Sequence, residues 1–244
     1  MEKEVLEAIR KLVKESKRIV FLGGAGVSTG SGILDFRSPQ GLYNIKSKYG
    51  VPYEVMLSRD YFFEQTEKFY DFYFSTMVSF EAKPNKAHIA LAQFEQRRPN
   101  DIVVVTQNID GLHQKAGSKR VLEAHGSTAS YHCLRCEKHY SIDEISHTGI
   151  PHCSCGGVLK PDVVLYGEPL DDATLSSAAT AVHYADLLIV GGTSMKVYPI
   201  AMLPSYFSGK AIVMINREET DFDRVADYVI RDDIGDALEA ILGE

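Results

Sequence analysis

Short apolar runs recur along this chain at intervals too regular to be accidental. The first spans Ile19 to Leu22 and ends in glycines; the others are DIVVVTQN (101–108), ADLLIVGG (185–192), KAIVMIN (210–216) and ADYVI (226–230). Each is four to eight residues long, rich in Val and Ile, and several stop at Gly, Asn or Asp. An apolar run of that length predicts a strand buried on both faces, as in a parallel sheet. Helical stretches are predicted between or after them, at roughly 85–97, 171–184 and 233–242. The N-terminus adds an amphipathic helix, with Val5, Ile9, Leu12 and Val13 on one face. Strands alternating with helices predict an α/β fold with a doubly wound, Rossmann-type parallel sheet. Ligands of such sheets sit at the carboxyl ends of the strands, where the polar residues of these runs cluster.

Two segments break that rhythm and are predicted to be insertions forming a small second domain. Residues 41–84 are rich in Tyr and Phe and predict a helical lobe, in which the aromatic spacing serves core packing. Residues 126–159 carry the cysteines and many turn residues, and predict a metal-binding module. The larger domain would then comprise residues 1–40, 85–125 and 160–244. No repeat or low-complexity linker separates these parts.

Composition narrows the function classes. With 26 basic and 33 acidic residues, the net charge is −7. Such a chain has no electrostatic footprint for nucleic acid or for an anionic membrane. No run of 18 apolar residues is present, so no transmembrane helix is expected. The charged N-terminus lacks a signal-peptide core, which leads to the expectation of a cytoplasmic protein.

All four cysteines lie in one short stretch, Cys133-x2-Cys136-x16-Cys153-x-Cys155. Two close pairs on two turns match a tetrahedral four-thiolate zinc site. Two disulfides are the competing reading, and they are rare in the cytosol. The second pair is tighter than the usual C-x2-C, and His132 and His152 stand beside the pairs as possible replacement ligands. Four thiolates close the coordination shell, so the zinc would be structural.

Three further features carry chemistry. After the first run comes GGAGVSTGSG, in which Gly24 and Gly26 would permit a tight turn and close approach to a diphosphate, with the next helix N-terminus aimed at it. The pattern departs from G-x-G-x-x-G at Thr29, and a plain strand–helix turn is the competing reading. Asp35-Phe36-Arg37, just beyond, suits a flap over a bound cofactor. Gln107-Asn108-Ile109-Asp110 ends the second run with amide and carboxylate groups able to bond ribose hydroxyls or a carboxamide, or simply to cap a turn. His125, in EAHGS, is a candidate general base; the remaining histidines read as structural.

Taken in order, GAGVSTGSGILDFR, TQNIDGLHQKAGS, EAHGS, CLRC…CSC, PDVVLYGE, GGTSMKVYP and VMIN resemble the sirtuin family, in its bacterial form. The chain departs from the family at Leu34, where Pro is usual, implying a slightly looser cofactor loop, and at Tyr166, where many members have Phe. The resemblance implies an NAD-dependent protein-lysine deacylase. NAD would be the co-substrate, one Zn²⁺ the structural metal, and acyl-lysine-bearing proteins or peptides the partners. By the same resemblance, Ala25, Thr29, Phe36 and Arg37 would hold the diphosphate and nicotinamide ribose. Gln107, Asn108, Ile109 and Asp110 would line the nicotinamide pocket, with Asp110 on the carboxamide. Thr193, Ser194, Asn216 and Asp233 would meet the adenosine end. The acyl-lysine peptide would pair as a strand near Gly167-Glu168 and Met195-Lys196-Val197. Its amide oxygen would attack the ribose and expel nicotinamide. His125, a catalytic residue with Asn108, would then act as general base, giving free lysine and O-acyl-ADP-ribose. A mono-ADP-ribosyltransferase on the same NAD site and a non-enzymatic zinc module are the rival readings; the acidic charge disfavours the second.

Acyl choice is also readable by resemblance. Members that remove succinyl groups carry Tyr-x-x-Arg in the helical lobe, and the matching stretch here is Tyr70-Asp71-Phe72-Tyr73. A carboxylate would lack its cation there, so neutral acyl groups are expected. Arg59 is the nearest alternative cation upstream.

Overall fold

Every side chain of the Ile19–Leu22 run is buried, the odd ones toward one helical layer and the even ones toward the other. That two-sided burial is why the run is apolar throughout instead of alternating. The computed structural model describes residues 2–39, 41–44 and 49–243. Positions 45–48 of the expected helical lobe lie outside the described residues.

Six strands among the described residues form one parallel sheet: β1 (Ile19–Gly23), β2 (Ile102–Thr106), β3 (Val121–Glu123), β7 (Leu187–Gly191), β8 (Ala211–Ile215) and β9 (Tyr228–Ile230). Their order is β3-β2-β1-β7-β8-β9. The order reverses between β1 and β7, which makes that crevice the topological switch point. All five apolar runs are strands of this sheet.

One face is covered by α1 (Lys3–Glu15), α5 (Lys86–Arg97) and α8 (Ile234–Leu242), whose Ile9, Leu91 and Leu238 pack on Phe21, Val104 and Ile189. The other carries α7 (Asp172–His183) and the 3-10 turns at Ile200–Tyr206, with Val182 and Leu203 against Val20, Leu22 and Val190. Each such side chain contributes roughly 1.5–3 kcal/mol on burial. Helices on both faces confirm the doubly wound architecture.

Among the described residues the second unit has three short α-helices, α2 (Tyr53–Met56), α3 (Arg59–Glu64) and α4 (Thr66–Phe72), the last continued by a π-helical turn at Tyr73–Met77, and an antiparallel three-stranded sheet. Its strands are β4 (Gly126–Cys133), β5 (His139–Ser141) and β6 (Leu159–Val163), in the order β5-β4-β6. The two insertions share one core, in which Phe62, Phe69, Tyr70 and Tyr73 pack with Tyr131, Cys133, Cys153 and Leu159. β6 pairs with β4 through Val163, so the expected boundary between residues 159 and 160 falls inside a strand. The short α6 (Leu112–Ala116) follows β2. No helix of the described residues is long and apolar enough to cross a membrane.

Candidate active site and metal centre

Parallel register sets the site. Gly23 lies beside Thr106 and Gly191, and Gly191 beside Ile215, so the chain leaves β2, β1, β7 and β8 in one row. The residues that emerge there are Gln107–Asp110, Gly24–Ser28, Gly192–Ser194 and Asn216.

The glycine-rich turn differs from its expected form. No long helix follows β1; the chain makes two 3-10 turns, Ala25–Val27 and Thr29–Ser31, and Gly32 closes the second at φ +81°. Four glycines and three hydroxyl residues within Gly24–Gly32 favour turns over helix. Gly24 and Gly26 answer first to a neighbouring loop. A Cβ on Gly24 would lie 2.7 Å from the Thr193 Cβ, and one on Gly26 would lie 2.9 Å from the Gly192 Cα. The Gly26 amide donates to the Gly192 carbonyl at 2.8 Å, locking the β1 and β7 loops together.

Ser28 is the centre of this cluster and was not singled out from the sequence. It is 1% exposed. Its hydroxyl donates to the Asp110 carboxylate at 2.6 Å and accepts from the Asn108 amide at 2.9 Å. Asp110 also accepts from the Leu112 amide at 2.9 Å, capping the entry to α6. Gln107 turns the other way and donates to the Thr193 hydroxyl at 3.0 Å. The Ile109 side chain packs on the small unit's core, while its carbonyl accepts from the Thr128 amide and hydroxyl, both at 2.9 Å.

His125 stands on the link between β3 and β4, with Nδ1 3.0 Å from the Gln107 carbonyl. A carbonyl only accepts, so Nδ1 carries the proton and Nε2 is left as the basic nitrogen. Burial lowers the pKa of this imidazole, and the bond to Gln107 partly opposes that. The ring therefore favours its neutral form at pH 7.

The flap closes on itself. Asp35 accepts from the amides of Arg37 (3.0 Å) and Ser38 (2.8 Å), and the Phe36 carbonyl accepts from the Tyr43 amide at 3.0 Å. The Phe36 and Tyr43 rings lie 5.2 Å apart, and the Arg37 guanidinium sits 5.4 Å from the centre of the Tyr43 ring. Leu34 is 53% exposed on the outer side of this loop.

The remaining expected residues are less gathered. Ala25 and Thr29 stay on the turn, with the Thr29 hydroxyl on the Gly26 carbonyl, and Ser194 follows Thr193. Asn216 pairs its backbone with Ile230 and Arg231. Asp233 caps α8 through the amides of Gly235 and Asp236 and accepts from Arg217 at 2.6 Å. It lines a separate hollow of about 250 Å³ with Gly30, Asn85 and Lys86.

The four cysteine sulfurs converge, all within 4.8 Å of one another, with three separations of 3.5, 3.6 and 3.5 Å. Tetrahedral zinc–thiolate bonds of ~2.3 Å place sulfurs about 3.8 Å apart, so the cluster fits zinc. Amides of Arg135 and Cys155 and the Tyr140 hydroxyl point at these sulfurs. A Cβ on Gly157 would lie 2.6 Å from the Cys133 sulfur, so the knuckle needs glycine. Neither flanking histidine joins the set: His132 bonds Asp162 at 2.6 Å, and His152 bonds the Ile150 carbonyl.

Similarity to known proteins agrees with this arrangement. The sequence model of the Sir2 family matches residues 24–199. The NAD-dependent protein deacetylase of Clostridium acetobutylicum is 49% identical over 240 residues, covering 97% of this chain and 98% of that protein. The protein of the same name from Staphylococcus aureus is 40% identical over 98% of both chains. Among solved structures, a Sir2–p53 peptide–NAD⁺ complex superposes with a TM-score of 0.83 at 38% identity, covering 99% of this chain and 98% of that one. A Sir2 bound to acetylated peptide gives a TM-score of 0.83 at 35% identity, with the same coverage. With the family's sequence model matching most of the chain and relatives similar to it along nearly their whole length, the chain belongs to the Sir2 family.

Proposed function

We propose that this protein is an NAD-dependent protein-lysine deacylase that consumes NAD and releases nicotinamide, the free lysine and O-acyl-ADP-ribose. The observation that carries the reading is the Ser28–Asn108–Asp110 cluster at the switch point of the sheet, with the His125 ring tied through Nδ1 to the carbonyl of Gln107, the residue before Asn108. The donor set suits the co-substrate: an amide and a carboxylate for a carboxamide, hydroxyls and backbone amides for ribose and diphosphate. The names of the relatives and the ligands of the solved neighbours support the same substrate class.

When bound, NAD supplies a ribose carbon whose bond to nicotinamide can be replaced. The chain's own residues do the rest. Asp110 and Asn108 orient the carboxamide end, held by Ser28. The Phe36 loop excludes water. Thr193, Ser194 and Asn216 serve the adenosine end, with Asp233 at its margin. His125 Nε2 takes a proton from a ribose hydroxyl. No activated side-chain nucleophile is needed, in keeping with the absence of any cysteine outside the four-sulfur cluster. We assign NAD to the six-stranded unit and the folding role of zinc to the small one, with the peptide taken between them.

Neutral acyl groups are the preferred cargo in this reading. Tyr73, at the position of the acyl-carboxylate arginine, is wholly buried, and burial holds its hydroxyl protonated. Arg59 lies at the surface, over the Phe63 ring at 5.1 Å. An aliphatic chain against these rings gains ~0.8 kcal/mol per buried CH₂, whereas a carboxylate would be desolvated without a partner. Incubation with NAD and acetyl-, butyryl- and succinyl-lysine peptides of one sequence, read by mass spectrometry, tests both points. Acetyl and butyryl peptides are expected to give O-acyl-ADP-ribose at the higher kcat/KM. Succinyl as the best substrate would overturn the acyl preference, and ADP-ribose attached to the peptide would overturn the deacylase reading.

A further inference from the structure

We infer that the hydroxyl of Tyr166 is a positioning group that couples peptide binding to closure of the cofactor loop, acting through Tyr43. The inference rests on the deacylase reading above, and on three contacts that meet at this residue.

The first is the hydroxyl itself, 2.7 Å from the Tyr43 hydroxyl. It is the atom that distinguishes residue 166 from phenylalanine. The second is the backbone. Tyr166 donates to the Leu57 carbonyl and accepts from the Arg59 amide, both at 2.9 Å, in a short parallel bridge at Ser58. That bridge fixes the start of the Tyr166-Gly167-Glu168 segment, along which the peptide would pair. Further along, the Glu168 carboxylate is held by the Leu165 amide and the buried Lys160 ammonium, both at 3.0 Å. The third contact is on the Tyr43 side. Tyr43 is the return leg of the flap, tied to Phe36 by backbone and ring and covered by Arg37.

A continuous chain of contacts therefore runs from the peptide-pairing segment to the ring expected over NAD. It passes through one pair of hydroxyls, beside an open groove of about 410 Å³ lined by Arg37, Glu54 and Tyr166. A peptide that fixes Tyr166 fixes Tyr43, and with it Phe36. By reciprocity, a bound cofactor tightens the peptide by the same factor. One neutral hydrogen bond of this kind supports a coupling of roughly 2–10-fold.

The test uses ADP-ribose, which is not turned over, as the probe. Its affinity is measured with and without an acetyl-lysine peptide in the full-length wild type, in Tyr166→Phe, in Tyr43→Phe and in the double variant, with melting curves alongside. The wild type is expected to bind ADP-ribose more tightly when the peptide is present. Each single variant should lose most of that enhancement while binding ADP-ribose alone within about twofold of wild type. The double variant should lose no more than either single one. Enhancement unchanged in Tyr166→Phe overturns the inference, as does weakening that is equal with and without peptide, which marks a merely structural bond. A wild type that deacetylates normally while the variants keep full coupling overturns this inference alone. A wild type that neither binds the peptide nor consumes NAD overturns the functional reading with it.

Discussion

Ser28 donates a 2.6 Å hydrogen bond to Asp110 across a sequence separation of 82 residues, and this bond ties the glycine-rich turn to the end of β2. A hydroxyl donating to a half-buried carboxylate is a charge-assisted bond, worth about 1.5–3 kcal/mol. Ser28→Ala leaves the Asp110 carboxylate and the Asn108 amide each short of a partner. The expected outcome is a kcat/KM for NAD lowered roughly 10–100-fold, with a melting temperature reduced by only a few degrees. Wild-type kinetics in a folded Ser28→Ala protein would remove this serine from the site.

His125→Ala is expected to lower turnover by ~10²–10⁴-fold without loss of the fold, because its assigned work is proton abstraction. Burial lowers the His125 pKa, so the wild-type enzyme should keep its active neutral imidazole down to below the ordinary histidine value of about 6.5. Its acid limb should then fall off only beneath that pH. A pH–rate profile of kcat/KM reads this directly, and an acid limb at or above pH 7 contradicts the assignment.

Acid stability rests on a different pair. The His88 and His113 rings stack edge to face at 4.7 Å, both buried under the site. Burial pushes His88 down to about 4 and His113 down to about 3. The unfolded chain binds protons at these positions near pH 6.5, whereas the folded chain does not until far lower. Stability from this pair is thus fully present above pH 6.5 and is lost as pH falls from there toward 4 and 3. At ~1.4 kcal/mol for each tenfold difference in proton affinity, each imidazole accounts for a pH-dependent change on the order of 3–5 kcal/mol. Urea midpoints between pH 7 and 4 should fall steeply, and His113→Phe should flatten that slope. An equal slope in the variant would contradict the account.

The cysteine cluster predicts one zinc per chain in the purified protein. Cys133→Ser, or chelation, should unfold the β4–β5–β6 sheet and its shared core with α3 and α4, lowering activity through the small unit. Metal analysis and melting curves check this. A metal-free wild type with full activity and an unchanged melting temperature would contradict it.

What could be read from residues alone divides along physical lines. The five strands, α5, α7 and α8 were legible because apolar periodicity is a local signal, and β1 or β7 buried on both faces admits no other pattern. The cysteine pairs were legible because metal geometry needs particular side chains at short spacing. Ser28 was not, because its hydroxyl finds its partners only when β1 and β2 lie side by side. The turns after β1 were misjudged for a related reason: a glycine-rich run suits either a helix entry or a tight turn, and the contact of Gly26 with Gly192 decides between them. The pairing of Val163 with Gly126 is likewise announced by no local pattern.

The most direct measurement of the central claim is the stoichiometry of nicotinamide release against lysine deacylation, with wild-type protein, NAD and an acetyl-lysine peptide. One nicotinamide for each acetyl group removed, and none with the unacetylated peptide, is the predicted result. Nicotinamide released at an equal rate without the acetyl group, or deacetylation without NAD, would contradict it.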